Sequence, residues 1–227
     1  MTAATPVQAV LFDLDGTLLD TLPDLVQALN AALAAAGRSA ISREFLLPAV
    51  STGTRTMLAR AAPDAGELEL ERLRANFLSN YETSLGAHTQ SVRGMSALLE
   101  SLQRQQMPCG VVTNKLERYT EPLLRHLGMR DRFNCVICGD TAAAPKPSPA
   151  PLLAAAAELG LAPEHCVYIG DAPGDVHAAN AAAMPVLVAA WGYVDPGDDP
   201  RCWGESTLVR SPGEVGNWLE RHNGGSE

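Results

Sequence analysis

Aromatic residues make up only 5% of the 227-residue chain, and 17 lysines and arginines face 26 aspartates and glutamates. The resulting formal charge of −9 opposes attraction to polyanions, so neither nucleic acid nor an anionic membrane surface is an expected partner. No apolar run approaches the roughly 18 residues that a membrane helix needs, and Met1-Thr-Ala-Ala-Thr-Pro6 lacks a basic start leading into an apolar stretch. A cytoplasmic protein is the resulting expectation. Cysteine is scarce too: five, an odd number, do not make a disulfide framework. Cys135-Val-Ile-Cys138 has the spacing of a metal or redox pair. It lies in a strand-like run, however, where i and i+3 point to opposite faces, so buried thiols are expected instead.

What is present is ample apolar material, 46% hydrophobic against 19% charged, enough to bury a core. Short apolar runs at 7–12, 110–112, 135–138, 166–169 and 186–190 read as strands. Helical patterns separate them at 117–127, 149–159 and 176–183. That alternation predicts a parallel α/β sheet with right-handed crossovers. Ser211-Pro-Gly-Glu214 predicts a capped last helix to about Arg221, with a frayed tail from Asn223. One connection is too long: Asp15 and Thr113 are 98 positions apart, whereas a βαβ unit needs about 30 residues. Its helical patterns from Thr21 to Gly37 and over 67–85 predict an all-helical insert, residues 21–88, leaving 1–20 and 89–227 as the α/β core.

Three of the predicted strands end in polar groups. The first stops at Asp13-Leu-Asp15-Gly16-Thr17, the second at Thr113-Asn114-Lys115, and the fourth at Gly170-Asp171-Ala-Pro-Gly-Asp175. Pro145-Lys146-Pro147 holds a lysine in a stiff, non-helical segment between the last two motifs. Ligands of parallel sheets sit at the carboxyl ends of strands. Carboxylates gathered there repel by about 4 kcal/mol per pair at ~4 Å and an effective dielectric near 20, which calls for a hard divalent ion such as Mg2+, together with Lys146.

In order and spacing these motifs resemble the haloacid dehalogenase superfamily of phosphohydrolases, over essentially the whole chain. The resemblance implies a Rossmann-like core with an inserted helical cap. It makes Asp13 a nucleophile that is phosphorylated and Asp15 the acid/base. Thr113, Asn114 and Lys146 become phosphate-binding residues, Thr113 and Lys146 catalytic as well, with backbone N–H groups of the following helix start assisting. Asp13, Asp15 and Asp171 become the Mg2+ ligands, and Asp175 an orienting group behind them. Ala172 stands where many relatives carry a further acid. The insert resembles the cap of the phosphoglycolate phosphatase branch. Segments 50–57, 110–115 and 192–204 look more like bacterial N-acetylmuramic acid 6-phosphate phosphatases.

The expected substrate is therefore a small phosphate ester bearing a carboxylate, N-acetylmuramic acid 6-phosphate first and phosphoglycolate second, turned over by a monomer or small homo-oligomer. A phosphosugar mutase and a non-enzymatic phospho-acceptor domain are the alternatives. Arg55, in a polar break of the insert, is the expected carboxylate reader. His126, His165, His177 and His222 are expected in solvated or core roles, with His88 left open near the cleft. Trp191, Trp203 and Trp218 are expected as packing anchors.

Overall fold

The computed structural model describes residues 5–195 and 197–224. Residues 1–4, where a leader would begin, Pro196 and residues 225–227 of the expected tail lie outside. Among the described residues the strands are β1 (Ala9–Phe12), β2 (Leu19–Asp20), β3 (Gln90–Ser91), β4 (Cys109–Val112), β5 (Cys135–Ile137), β6 (Cys166–Gly170), β7 (Val186–Ala189) and β8 (Thr207–Val209). The helices are α1 (Leu22–Ala35), α2 (Arg43–Val50), α3 (Thr54–Ala61), α4 (Glu67–Thr83), α5 (Met95–Arg104), α6 (Glu117–His126), α7 (Ala150–Glu158), α8 (Pro173–Ala181) and α9 (Pro212–Gly224).

Six strands form one parallel sheet in the order β5-β4-β1-β6-β7-β8. Every residue of β1, β4, β6 and β7 is buried, because helices cover both faces and continuous apolar runs follow. On one face Val10, Phe12, Val111 and Ile169 pack with Leu98, Leu123 and Val215. On the other, Leu11, Val112 and Tyr168 meet Leu152, Ala155 and Val176. The chain builds outward from β1 through β4 to β5, then returns to β1's other flank with β6. That topological switch sets the carboxyl ends of β4, β1 and β6 side by side.

Helices α1–α4 surround a separate apolar centre. Leu22, Leu25, Leu29 and Leu33 of α1 face Leu73, Phe77 and Tyr81 of α4, joined by Tyr119 and Tyr193 from the sheet side. Each fully buried leucine contributes about 1.5–3 kcal/mol as an upper estimate. The two chain crossings to these helices run as an antiparallel ribbon, β2 against β3. Asp24, fully buried, clasps the crossing: its carboxylate accepts from the N–H groups of Gly86, His88 and Thr89 (3.1, 2.8 and 3.1 Å) and from the Thr89 hydroxyl at 2.6 Å. Asp24→Ala removes the acceptor and strands these donors, so urea unfolding should show a loss of about 2–4 kcal/mol. An unchanged midpoint would deny the clasp any energetic weight.

Two expectations are corrected. Asn223 is not frayed, because its side chain accepts from the Val7 N–H at 2.8 Å and donates to the Val7 carbonyl at 2.9 Å. The insert holds two more helices, α2 and α3, than the patterns in 21–88 disclosed. The cysteines are free, four buried and Cys202 exposed. Burial pushes the Cys109 and Cys135 thiols up to about 12.

Candidate active site

Strand β1 ends at Phe12, and Asp13 continues its ladder by donating its N–H to the Ile169 carbonyl at 2.8 Å. The chain then turns through Gly16 at φ +86°. A side chain at Gly16 would collide with the Asp171 carboxylate and the Tyr193 ring, and one at Gly192 would strike Asp171 again. Glycine is therefore required where these loops close around Asp171. Asp171 is 2% exposed and accepts from the Thr17 hydroxyl at 2.8 Å and the Tyr193 N–H at 2.6 Å.

Oxygens of Asp13, Asp171 and Asp175 lie within 4.8 Å of one another. Lys146 Nζ, buried, stands 2.9 Å from Asp13 Oδ1 and 2.7 Å from Asp175 Oδ1. Its hydrogen bonds go to Asp175, the Tyr168 hydroxyl at 2.6 Å and the Val112 carbonyl at 3.2 Å. Four acceptors thus compete for the three protons of the ammonium, and the buried Asp13 Oδ1 has Lys146 as its one protein partner, an ion pair without an aligned hydrogen bond. Asp175 is the opposite case. Its Oδ1 faces Lys146 and Tyr168, and its Oδ2 accepts from the N–H groups of Asp171 and Ala172, each at 3.0 Å. Both oxygens are committed to protein donors, so Asp175 braces the loop at the start of α8.

Burial, together with the charges of Asp175 and Asp15, pushes the Asp13 carboxyl up to about 6 despite Lys146. Burial and the charges of Asp13 and Asp175 hold Asp171 well above the ordinary carboxylate range. For Lys146, burial works against the ammonium, but Asp13 and Asp175 outweigh it and keep it charged. The cluster is thus short of positive charge at neutral pH. A set of carboxylate oxygens within 4.8 Å of one another fits a hard divalent cation, and Asp13 and Asp171 are the residues that could hold it.

The expected positions separate into those the fold gathers and those it does not. Asp13, Lys146, Asp171 and Asp175 converge. Thr113 is buried at the end of the adjacent β4, where its hydroxyl accepts from the Lys115 N–H at 3.2 Å. The carboxylate of Asp15 lies outside the acidic cluster: beyond the β1 end it turns to Thr21 Oγ1 (2.6 Å) and Lys115 Nζ (3.0 Å). Asn114 does not offer its amide as expected for phosphate. It spans the Lys146 backbone, accepting from the N–H at 2.9 Å and donating to the carbonyl at 3.0 Å, and so fixes the lysine loop, whose Lys146-Pro147 bond is cis. At the α6 start, the Glu117 N–H already donates to Asp140 at 2.9 Å. Arg55 is 87% exposed and pairs with Glu67 at 3.6 Å, because its helix α3 turns this residue to solvent. The side chain of His88 is likewise exposed.

A family model described as haloacid dehalogenase-like hydrolase matches residues 10–189, which span all the gathered side chains. The chain belongs to the haloacid dehalogenase-like hydrolase family. A phosphoglycolate phosphatase of Xylella fastidiosa is 43% identical to it over 205 residues, 90% of each chain. An N-acetylmuramic acid 6-phosphate phosphatase of Pseudomonas aeruginosa is 35% identical over 216 residues, 95% of this chain and 96% of that one. The crystal structure of a predicted phosphoglycolate phosphatase from Haemophilus somnus superposes with a TM-score of 0.86 at 25% identity, covering 94% and 98% of the two chains.

Several site residues of this haloacid dehalogenase-like hydrolase escaped the sequence reading. Lys115 was read only as the tail of a strand-end motif, yet its side chain is 7% exposed and grips Asp15. Trp191, Trp203 and Trp218 do pack on the cores, but the Trp191 indole also donates to the Thr17 carbonyl at 3.0 Å. Tyr193 bridges its loop to the insert, its hydroxyl donating to Asp20 at 2.8 Å and accepting from the Leu22 N–H at 2.9 Å. No local pattern marks such partners, which lie 100 to 174 positions away.

Proposed function

We propose that this phosphoric monoester hydrolase is Mg2+-dependent, working through phosphorylation of Asp13. The observation that carries the reading is the buried Asp13 oxygen held 2.9 Å from Lys146 at the switch point of the sheet. In that role Asp13 attacks phosphorus and its ester oxygen leaves, and Asp15 delivers a proton to the departing oxygen, then takes one from water. Lys146 steadies Asp13 and a phosphate oxygen, and Thr113 holds another. A magnesium ion held by Asp13 and Asp171 supplies charge neutralisation for the transferring phosphoryl group. Residues 21–88 act as the cap that excludes water and selects substrate.

The proposed substrate is a small phosphate ester carrying a carboxylate. Phosphoglycolate now comes first, supported by the 43% identical Xylella fastidiosa relative, ahead of N-acetylmuramic acid 6-phosphate, supported by the 35% identical Pseudomonas aeruginosa relative. Phosphate release from both, with and without Mg2+, tests the reading. Excess chelator should silence turnover and Mg2+ restore it; undiminished activity in chelator would overturn the metal's role. Protons compete with the cation for Asp13. With its carboxyl pushed up to about 6, Mg2+ at 100 times its Kd should stabilise the fold by about 2.7 kcal/mol above that pH. The rise in Tm should fade as pH falls through 6.

A further inference from the structure

The ammonium of Lys115 sits between two parts of the molecule. On the sheet side it contacts both Asp15 oxygens, at 3.0 and 3.2 Å. On the other it stands 4.8 Å from the ring centre of Tyr81, in helix α4 of the insert. Tyr119 of α6 completes the surroundings, edge-on to Tyr81 with ring centres 5.5 Å apart. Both tyrosines are buried, at 2% and 4% exposure; the Tyr119 hydroxyl has no hydrogen-bond partner, and that of Tyr81 has none beyond Lys115 itself. A buried hydroxyl without a partner costs about 1–3 kcal/mol, and most are satisfied by something. The Lys115 charge reaches both phenols, and the three groups form a donor set for an anion outside the Asp13–Asp171 cluster. Burial raises both phenols above their ordinary range, opposed by Lys115 at Tyr81 and by Arg118 ahead of Lys115 at Tyr119, so both are O–H donors at neutral pH.

We infer that Lys115, with the hydroxyls of Tyr81 and Tyr119, is the subsite that reads the substrate's carboxylate, the task that exposed Arg55 does not fill. A carboxylate has about four acceptor positions and can take an ammonium and two hydroxyls together. Because Tyr81 belongs to the insert and Lys115 to the sheet side, a carboxylate bound there ties the two together over Asp15. The inference rests on the proposed carboxylate-bearing phosphate ester.

The test compares kcat/KM on phosphoglycolate, on its carboxamide analogue and on p-nitrophenyl phosphate, for wild type, Lys115→Met, Lys115→Arg and the double variant Tyr81→Phe/Tyr119→Phe. Lys115→Met should slow every substrate, since Asp15 loses its partner. It should slow phosphoglycolate about tenfold or more beyond the carboxamide, driving the acid-to-amide ratio towards one. Lys115→Arg should recover part of that ratio, and the tyrosine pair should lower it by about tenfold through KM. If wild type prefers the acid and the ratio survives in Lys115→Met and in the tyrosine pair, the subsite is overturned while the substrate class stands. If wild type distinguishes acid from amide neither on phosphoglycolate nor on N-acetylmuramic acid 6-phosphate yet hydrolyses p-nitrophenyl phosphate, the carboxylate class and the subsite both fall and the phosphatase reading remains. The tyrosine pair leaves Asp15 and Lys115 in place, so it decides the matter even where Lys115→Met fails to fold.

Discussion

Asp13→Asn should lower turnover by about 10⁴-fold or more while the protein folds as before. The change keeps the side chain's volume and deletes the oxygen nucleophile; the loss of an attacking group leaves only the contribution of binding and electrostatics. The stability effect has a definite sign. In the metal-free protein the Asp13 carboxyl is pushed up to about 6 from 3.8, chiefly by burial, so above pH 6 its ionised form penalises the folded state. Asp13→Asn removes that penalty. Metal-free Asp13→Asn should therefore be more stable than wild type by about 3 kcal/mol at pH 8, with the gap closing as pH falls from 6 towards 4. Thermal melts across that range check the sign, and phosphate release checks the activity. Near-normal turnover would remove Asp13 from the nucleophile's role.

Lys146→Met carries the second large effect, and it strikes fold and chemistry together. The lysine side chain is 4% exposed and contacts Asp13, Asp175, Tyr168 and the Val112 carbonyl. Methionine fills much of the same space without charge. Two carboxylates would then face each other uncompensated, and breaking a buried ion pair from one side costs about 3–5 kcal/mol. Urea unfolding should show that loss, with Mg2+ recovering part of it. Activity should fall about 10³-fold or more even with Mg2+ saturating, because the charge that steadies the transferring phosphoryl group is gone. Lys146→Arg separates the two contributions: it should recover stability more than activity, since a planar guanidinium cannot reproduce the ammonium's position. Equal recovery of both would assign Lys146 a purely structural role.

The parts of the molecule legible in sequence are those where a local pattern and a chemical necessity coincide. The apolar run before Asp13, the glycine after Asp15 and the prolines flanking Lys146 each carry a backbone reason for a strand end or a stiff loop, and the fold brings Asp13, Lys146, Asp171 and Asp175 together there. β8 was missed because three residues, Thr207–Val209, give too short a run, and its outermost place in the sheet removes the demand for an apolar stretch. α2 and α3 were missed because eight-residue helices offer barely two turns of periodicity. Arg55 lies exposed beside Glu67, and a polar break signals exposure to something without saying whether that is substrate or water. Asn114 and Lys115 adjoin Thr113 in one motif, yet one braces a backbone and the other grips Asp15. Those fates depend on where residues 146 and 81 arrive in space. Asp24 is an acid in the first turn of α1, and nothing local marks its three backbone donors, which lie more than 60 positions away.

The central claim, that Asp13 becomes covalently phosphorylated, is tested most directly by trapping. Enzyme with Mg2+ and excess phosphoglycolate is quenched in acid within one turnover and reduced with borohydride, which converts an acyl phosphate to the alcohol. Peptide mass spectrometry then locates the modified residue. Homoserine should replace Asp13 in a substrate- and Mg2+-dependent manner, with Asp15, Asp171 and Asp175 unmodified. Steady turnover with position 13 unmodified, or homoserine at another aspartate, would contradict the account.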